Sequence, residues 1–420
     1  MSGIRVNEWL HNSGTGGIWQ TSAGNVGIAS SVPTAKLVVT GDANISGVTT
    51  ATAFVPSAGQ LSNRNLVING AMMVDQRYGG AAHTIDGSDF VLDRWLFQSA
   101  STQEQPTIQQ VDVTADSAPW NAGFRKAAKI TNGNQTGGAG GDDTIIQYYK
   151  FEAQDIATSG WDYTSDSSYV TFSFWVKASV AQDYPFYIRT RDGSAYMYST
   201  MTGSLTANTW TKITKTIPGN SNITVNTDNG SGLELNIAPY YGTDGTVASG
   251  STLDAWKAWT ASSRWNDITT TWYTTNDATF ETTGFQLEVG SVATPFEHRS
   301  YGDELARCQR YYYKKGDIDD QTDDAPVAVM FYNSGTTWKG DVEYPVTMRD
   351  APSIEVSNFT DAFRAYGNSS GHNSDTLGTS DMTKQTARVT FTNSSHSTSN
   401  LATGVRCNAT GAYLAFLAEL

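Results

Sequence analysis

The sequence predicts an all-β protein built from a short N-terminal β-stalk, a central jelly-roll β-sandwich and a smaller C-terminal β-sandwich. Three observations point there. Apolar and polar residues alternate with period two in short runs, the pattern of strands with one buried face. Clusters of Gly, Asn, Asp, Ser and Pro interrupt those runs at roughly 8–12-residue spacing. Only 16% of the 420 residues are charged, below the ~25% usual in soluble domains, while 39 are glycine and 11% are aromatic, which suits a turn-rich chain.

Residues 1–60 come first. Their apolar residues fall in bursts such as Ile28 and Leu37 to Val39, separated by turn signals at Gly24, Pro33, Gly41 and Asp42. So short a strand set buries too little surface to stand alone, and pairing with further copies of itself in a trimeric stalk is the expected solution.

Residues 61–300 carry the sandwich pattern. Val170, Phe172, Phe174 and Val176 alternate with Thr171, Ser173, Trp175 and Lys177. Trp175 breaks the polar register and marks either a contact surface or a residue covered by a loop. Further strands are expected at 125–130, 184–190, 210–217, 233–237 and 279–289. In the last of these Phe285, Leu287 and Val289 face inward and Gln286 and Glu288 outward, before Gly290 and Pro295 stop the strand.

Residues 301–315 are expected to be a helical connector. Glu304, Leu305, Cys308 and Tyr312 recur at helical spacing, with Asp303 near the start. In residues 316–420, Val327, Val329 and Phe331 share one register, as do Ala387, Val389 and Phe391, with Arg388 and Thr390 on the opposite face. Residues 413–420 make an apolar finish. The polar stretch GNSSGHNSDTLGTS (367–380) is expected to be an exposed loop on a distal tip.

Charge excludes some functions. With 27 Lys and Arg against 41 Asp and Glu, the net charge of −14 provides no basic field for nucleic acid or an anionic membrane. No apolar run reaches the ~20 residues needed to cross a bilayer, and the first residues lack a basic region followed by an apolar one, so neither membrane insertion nor a signal peptide is expected. Two cysteines, Cys308 and Cys407, are too few for a disulfide framework; buried thiols and folding in a reducing cytoplasm are expected.

Catalytic signatures are missing. The five histidines, at 11, 83, 298, 372 and 396, form no HExxH or i,i+4 pair. There is no P-loop or GxGxxG, and GGAGGDD (137–143) lacks the GK[ST] ending. A non-enzymatic protein is expected. A pair drawn from Asp142, Asp143, Glu152, Asp155, Asp162, Asp254 and Asp267 stays open for glycoside hydrolysis, because the required ~5–10 Å separation belongs to the fold and not to the spacing.

The aromatics point to binding. Residues 239–273, PYYGTDGTVASGSTLDAWKAWTASSRWNDITTTWY, place Tyr240, Tyr241, Trp256, Trp259, Trp265 and Trp272 among small polar residues. Sugar rings offer apolar C–H faces to a flat aromatic, while Arg264 and Asp267 beside Trp265 suit their hydroxyls. The other accounts of these rings are core packing and contact between copies.

Four motifs occur in order: NRNLVINGAMMVDQR (63–77), Asp93-Arg94-Trp95, TFSFWVKAS (171–179) and TGFQLEVGSVATPFEHRSYGDELARCQRYYY (283–313). Together they resemble a family of bacteriophage tail-fibre and tail-appendage proteins. EYPVTMRDAP (343–352) extends the likeness more loosely, and residues 25–54 are similar to a short β-repeat of phage fibre shafts, with Ala29 and Ser30 departing from its usual Gly-Thr. The resemblance implies a jelly roll like those of carbohydrate-binding modules. It implies a virion protein made in the host cytoplasm and joined to other tail or virion proteins through its N-terminal segment. Adsorption to host-surface polysaccharide or lipopolysaccharide is the implied role, with a purely structural element of neck, baseplate or capsid and a surface-polysaccharide depolymerase as alternatives. Similar jelly rolls carry structural calcium near their first and last strands, for which Asp75 and Glu288 are the acidic residues in position; no other cofactor is implied.

Overall fold

The computed structural model describes residues 8–10, 17–40, 62–247, 252–316, 325–334, 336–357, 361–367, 370–374, 377–393, 402–409 and 411–420. The chain divides into two compact units, Met1–Pro56 and Ser57–Leu420.

The first unit contains a four-stranded sheet of Glu8–Leu10, Gly17–Gln20, Val26–Ile28 and Leu37–Val39. Its first three strands are antiparallel and the fourth runs parallel to the third. Strands this short bury little. Ile18, Ile28, Val32 and Leu37 are 45%, 40%, 76% and 60% exposed. The remainder of the predicted stalk, 1–7, 11–16 and 41–60, lies outside the described residues.

The second unit holds two sandwiches. In the larger, the front sheet has the order Ala255–Ala258, Tyr196–Met201, Pro185–Thr190, Ser231–Tyr241, Thr144–Glu152, Trp95–Ala100 and Gly87–Leu92. The back sheet has the order Thr211–Pro218, Tyr169–Ala178, Thr279–Val289, Lys126–Thr131, Thr107–Asp112 and His83–Thr84. All pairings within both sheets are antiparallel. Between the sheets lies one apolar core, including Trp95, Ile145, Tyr149, Phe172, Phe174, Phe186, Leu235, Ile237 and Phe285. Phe174 and Phe285 stack at 5.1 Å with planes 6° apart. Burial of each such side chain is worth about 1.5–3 kcal/mol.

The closing strand Thr279–Val289 departs from the expected exposure of its polar face. Gln286 and Glu288 are 1% and 2% exposed. The loop after the strand folds over them and uses them as anchors: Thr294 donates to both Glu288 oxygens (2.8 and 2.6 Å), Gln286 donates to Glu288 (2.9 Å), and the Glu297 amide donates to Gln286 (2.8 Å). Trp175 is half-buried on this outer face, packed with Phe124 and Phe296. Gly284 allows that packing. Its φ is +69°, and a Cβ there would lie 2.7 Å from Phe124 and 3.0 Å from Trp175.

The connector helix runs Tyr301–Gln309, capped by Ser300, which accepts from the Asp303 amide at 3.2 Å. Tyr312, expected on the helix, instead begins the strand Tyr312–Gly316, which pairs with Tyr413–Leu417. The smaller sandwich sets Tyr312–Gly316, Tyr413–Leu417 and Ser353–Val356 against a seven-stranded sheet. Within that sheet Ala387, Val389 and Phe391 are fully buried, as their alternation predicts. Val327 is buried too, but Val329 and Phe331 are 61% and 62% exposed. A register shift between Pro326 and Ala328 reverses the phase and turns Met330 inward. The stretch expected to be a loop forms strands: Ser370–Ser374 pairs with Phe363–Gly367, and Gly378–Ser380 with Thr386–Thr392.

Candidate functional site

Four of the eight residues expected to bind a ligand are core. Tyr240 is 2% exposed and stacks on Tyr273 at 4.2 Å; Trp272 is fully buried and its indole N–H donates to the Thr279 carbonyl at 3.0 Å. Trp265 is also fully buried, between Tyr187 (4.6 Å) and Tyr241 (5.5 Å), the latter 8% exposed. Ring faces so covered cannot stack on a sugar, which corrects the expectation for Tyr240, Tyr241, Trp265 and Trp272. Large apolar rings fill sheet surfaces because their burial outweighs any loop preference.

The other four lie apart or at the surface. Trp256 is half-buried on the front sheet's edge strand, leaning on Tyr198 at 5.7 Å and donating to the Pro218 carbonyl at 2.7 Å. Trp259 and Arg264 are half-buried and Asp267 is exposed. The structure brings Trp259 and Arg264 to the outer face of the front sheet, each in a cation–aromatic stack. The Arg189 guanidinium lies 4.0 Å over Trp259, and that of Arg264 lies 4.7 Å over Tyr241.

Strand register then defines the face beneath. Directly opposed residues of antiparallel strands share a side. One row runs Lys257, Met197, Arg189, Glu234, Lys150, and the next Ser199, Tyr187, Asn236, Tyr148, Leu96. Glu234 accepts from Asn236 at 3.0 Å and lies 3.6 Å from Arg191. Tyr148 donates to Gln98 at 2.5 Å. Burial lowers the pKa of Arg189, and Arg191 and Arg264 act in the same direction against the opposing effect of Glu234. Burial raises the pKa of both Tyr148 and Tyr187, keeping their hydroxyls protonated donors.

Polar atoms here are incompletely matched by the protein. Arg189 Nε, Asn236 Oδ1, Arg264 Nε, Trp265 Nε1 and Asn266 Oδ1 are buried without a hydrogen-bond partner. Such atoms cost free energy; by strand register Arg189 and Asn236 stand on the outer face of the front sheet, and Trp265 packs against Tyr187 of that face. Sequence reading missed Arg189, Tyr148, Tyr187, Glu234 and Asn236. Their signal was the alternation Leu233, Glu234, Leu235, Asn236, Ile237 and Phe186, Tyr187, Ile188, Arg189, which puts a polar row on the outside of two central strands.

The other proposed chemistries find no such assembly. Among the described residues no group of three or more His, Cys, Asp or Glu side chains could hold a metal. Asp75 takes the amides of Tyr78 (2.9 Å) and Gly80 (2.7 Å), whereas Glu288 holds Thr294; the two carboxylates serve different turns. Four of the seven carboxylates considered for hydrolysis are similarly engaged. Asp142 accepts from Ser101 (2.7 Å), Asp143 from Gly140 (2.5 Å), Asp254 from Thr200 (2.6 Å), and Glu152 from Arg310 (2.8 and 2.9 Å). Cys308 and Cys407 are both buried.

No family model matches the chain, and no curated protein matches it significantly. Among solved structures it is similar to the enzymatically active domain of tailspike protein 4 from bacteriophage CBA120, with 8% identity, TM-score 0.28, 54% of this chain covered and 21% of that chain. The match thus spans about a fifth of that domain's chain. It is also similar to the family 11 carbohydrate-binding module of Clostridium thermocellum, with 14% identity, TM-score 0.23, 51% of this chain and 98% of the module. A third is a family 22 xylan-binding domain of Paenibacillus barcinonensis, with 12% identity, TM-score 0.26, 57% of this chain and all of that one.

Proposed function

We propose that the chain is a bacteriophage tail-fibre or appendage protein, carried on the virion, which binds host-surface polysaccharide without cleaving it. The observation that carries the binding part is the front-sheet face, where aromatic–guanidinium stacks lie beside buried polar atoms lacking protein partners. Glycans match that chemistry because each sugar offers an apolar face and a ring of hydroxyls. The order of the four sequence motifs supports the virion part. Exposed Ile18, Ile28 and Leu37 on strands of three or four residues, with exposed Val32 between them, support a homotrimer, in which copies cover these apolar positions and place three weak glycan sites together. The N-terminal unit would also join other tail or virion proteins.

A glycan array probed with the purified chain tests the binding. Retention on one or more surface polysaccharides with no released oligosaccharide is expected. Release of oligosaccharide would replace this reading with a depolymerase. Absence of all glycan binding would leave a purely structural element of neck, baseplate or capsid.

A further inference from the structure

The front-sheet face is cationic in an anionic protein. Lys150, Arg189 and Arg191 neighbour Glu234, Arg264 acts on Arg189, and Lys257 ends the same row, although the chain as a whole carries 41 acidic against 27 basic residues. All five cations are half-buried or exposed, whereas Glu234 is 5% exposed. The carboxylate is already used, by Asn236 and Arg191. Lys150 is held by the Leu420 carbonyl oxygen at 2.8 Å.

Arg189 and Arg264 are different. Each sets its guanidinium carbon over an aromatic ring, 4.0 Å from Trp259 for Arg189 and 4.7 Å from Tyr241 for Arg264, with its Nε buried. The half-buried side chains leave the terminal N–H groups for a ligand, and a guanidinium takes a carboxylate through paired hydrogen bonds from such an edge. Neutral hydroxyls would not offset the mutual repulsion of Arg189, Arg191 and Arg264, which together with burial lowers the pKa of Arg189. An anionic ligand would.

We infer that the glycan taken by this face is acidic, a carboxylate-bearing polysaccharide whose uronate groups are bound by Arg189 and Arg264. This rests on the glycan-binding reading above and adds its ligand class.

Affinity electrophoresis of the full chain in 0.15 M salt tests it, with gels containing polygalacturonate, alginate, dextran or xylan, and with inorganic polyphosphate as competitor. Retardation on a polyuronate gel is expected, with none on dextran or xylan, and at least ~10-fold weaker retardation for Arg189→Gln and Arg264→Gln, as loss of a charge-assisted pair implies. Unchanged urea midpoints show that the variants fold. Equal retardation on neutral gels, or variants that bind as wild type, would overturn the acidic assignment while leaving glycan binding intact. Competition by polyphosphate as strong as by free polyuronate would also overturn it, since bare charge would then suffice. Retardation on none of the four gels would overturn the acidic assignment, and the glycan array then decides the binding reading separately.

Discussion

Arg94 and Glu419, 325 positions apart, form a hydrogen-bonded ion pair at 2.8 Å in which the arginine side chain is 1% and the glutamate 7% exposed. Arg94 belongs to the Asp93-Arg94-Trp95 motif of the large sandwich, and Glu419 follows the last strand of the small one. Arg77 joins the same carboxylate at 3.0 Å. Each guanidinium also covers a connector tyrosine: Arg94 lies 3.5 Å over Tyr311 and Arg77 3.7 Å over Tyr312. On the far side Arg310 chelates Glu152, and Arg349 donates to the carbonyls of Asn229, Ala418 and Glu419. Three of the four sequence motifs, 63–77, 93–95 and 283–313, therefore converge on the joint between the sandwiches.

Replacing Glu419 with Ala strands two buried arginines. The expected loss is ~3–5 kcal/mol, because breaking a buried pair leaves uncompensated charge. Urea denaturation checks it. Removing the charges together, in Arg77→Met, Arg94→Met, Glu419→Leu, should cost less than Glu419→Ala alone.

Asn69 is fully buried at φ +56°. Its side chain donates to the carbonyls of Val74 (2.8 Å) and Asp93 (3.0 Å) and accepts from the Val74 amide (2.9 Å), while its own carbonyl accepts from Trp95 at 3.1 Å. Asn69→Ala leaves three backbone groups unsatisfied at about 1–3 kcal/mol each. A thermal midpoint lowered by far more than in a surface Asn→Ala control is the expected result. The adjacent Gly70 is equally constrained, since a Cβ there would lie 2.2 Å from the Phe285 carbonyl oxygen.

Asp93 gives the joint a pH signature. Burial pushes its pKa up to about 6, against the opposing influence of Arg77 and the Gln76 hydrogen bonds. A carboxyl whose folded pKa lies above its unfolded 3.8 favours the folded state fully below 3.8 and loses that contribution as pH rises through about 6. The urea midpoint of Asp93→Asn should therefore decline less than that of wild type between pH 4 and 6. Glu152 acts oppositely. Burial would raise its pKa, but hydrogen bonds from Arg310 and Tyr311 prevail and lower it, so its contribution is present above 4.5 and lost on further acidification.

Much of the fold was legible because alternation records burial directly. Val170 to Val176, Phe285 to Leu287 and Ala387 to Phe391 face as their spacing implies. Failures arose where covering depends on distant chain. Gln286 and Glu288 read as exposed because nothing local announces that Thr294 will return over them. Val329 and Phe331 read as core because a one-residue register shift leaves no compositional trace. The candidate site was half legible. Trp259, Arg264 and Tyr241 were identified from local composition, yet Arg189, which lies over Trp259, belongs to the distant strand Pro185–Thr190.

Trp265 separates packing from binding. As a fully buried ring between Tyr187 and Tyr241, its replacement by Ala should cost ~3–5 kcal/mol of stability. Differential scanning calorimetry should show that loss.

The central claim is that the front-sheet face holds the glycan. Its most direct test is the affinity of Trp259→Ala for an array-positive polysaccharide, measured beside Trp175→Ala, which alters the half-buried tryptophan on the opposite sheet. Loss of a stacking ring should weaken binding by ~1–3 kcal/mol in Trp259→Ala, with the urea midpoint nearly unchanged and Trp175→Ala binding as wild type. Wild-type affinity in Trp259→Ala, or a loss confined to Trp175→Ala, would contradict the account.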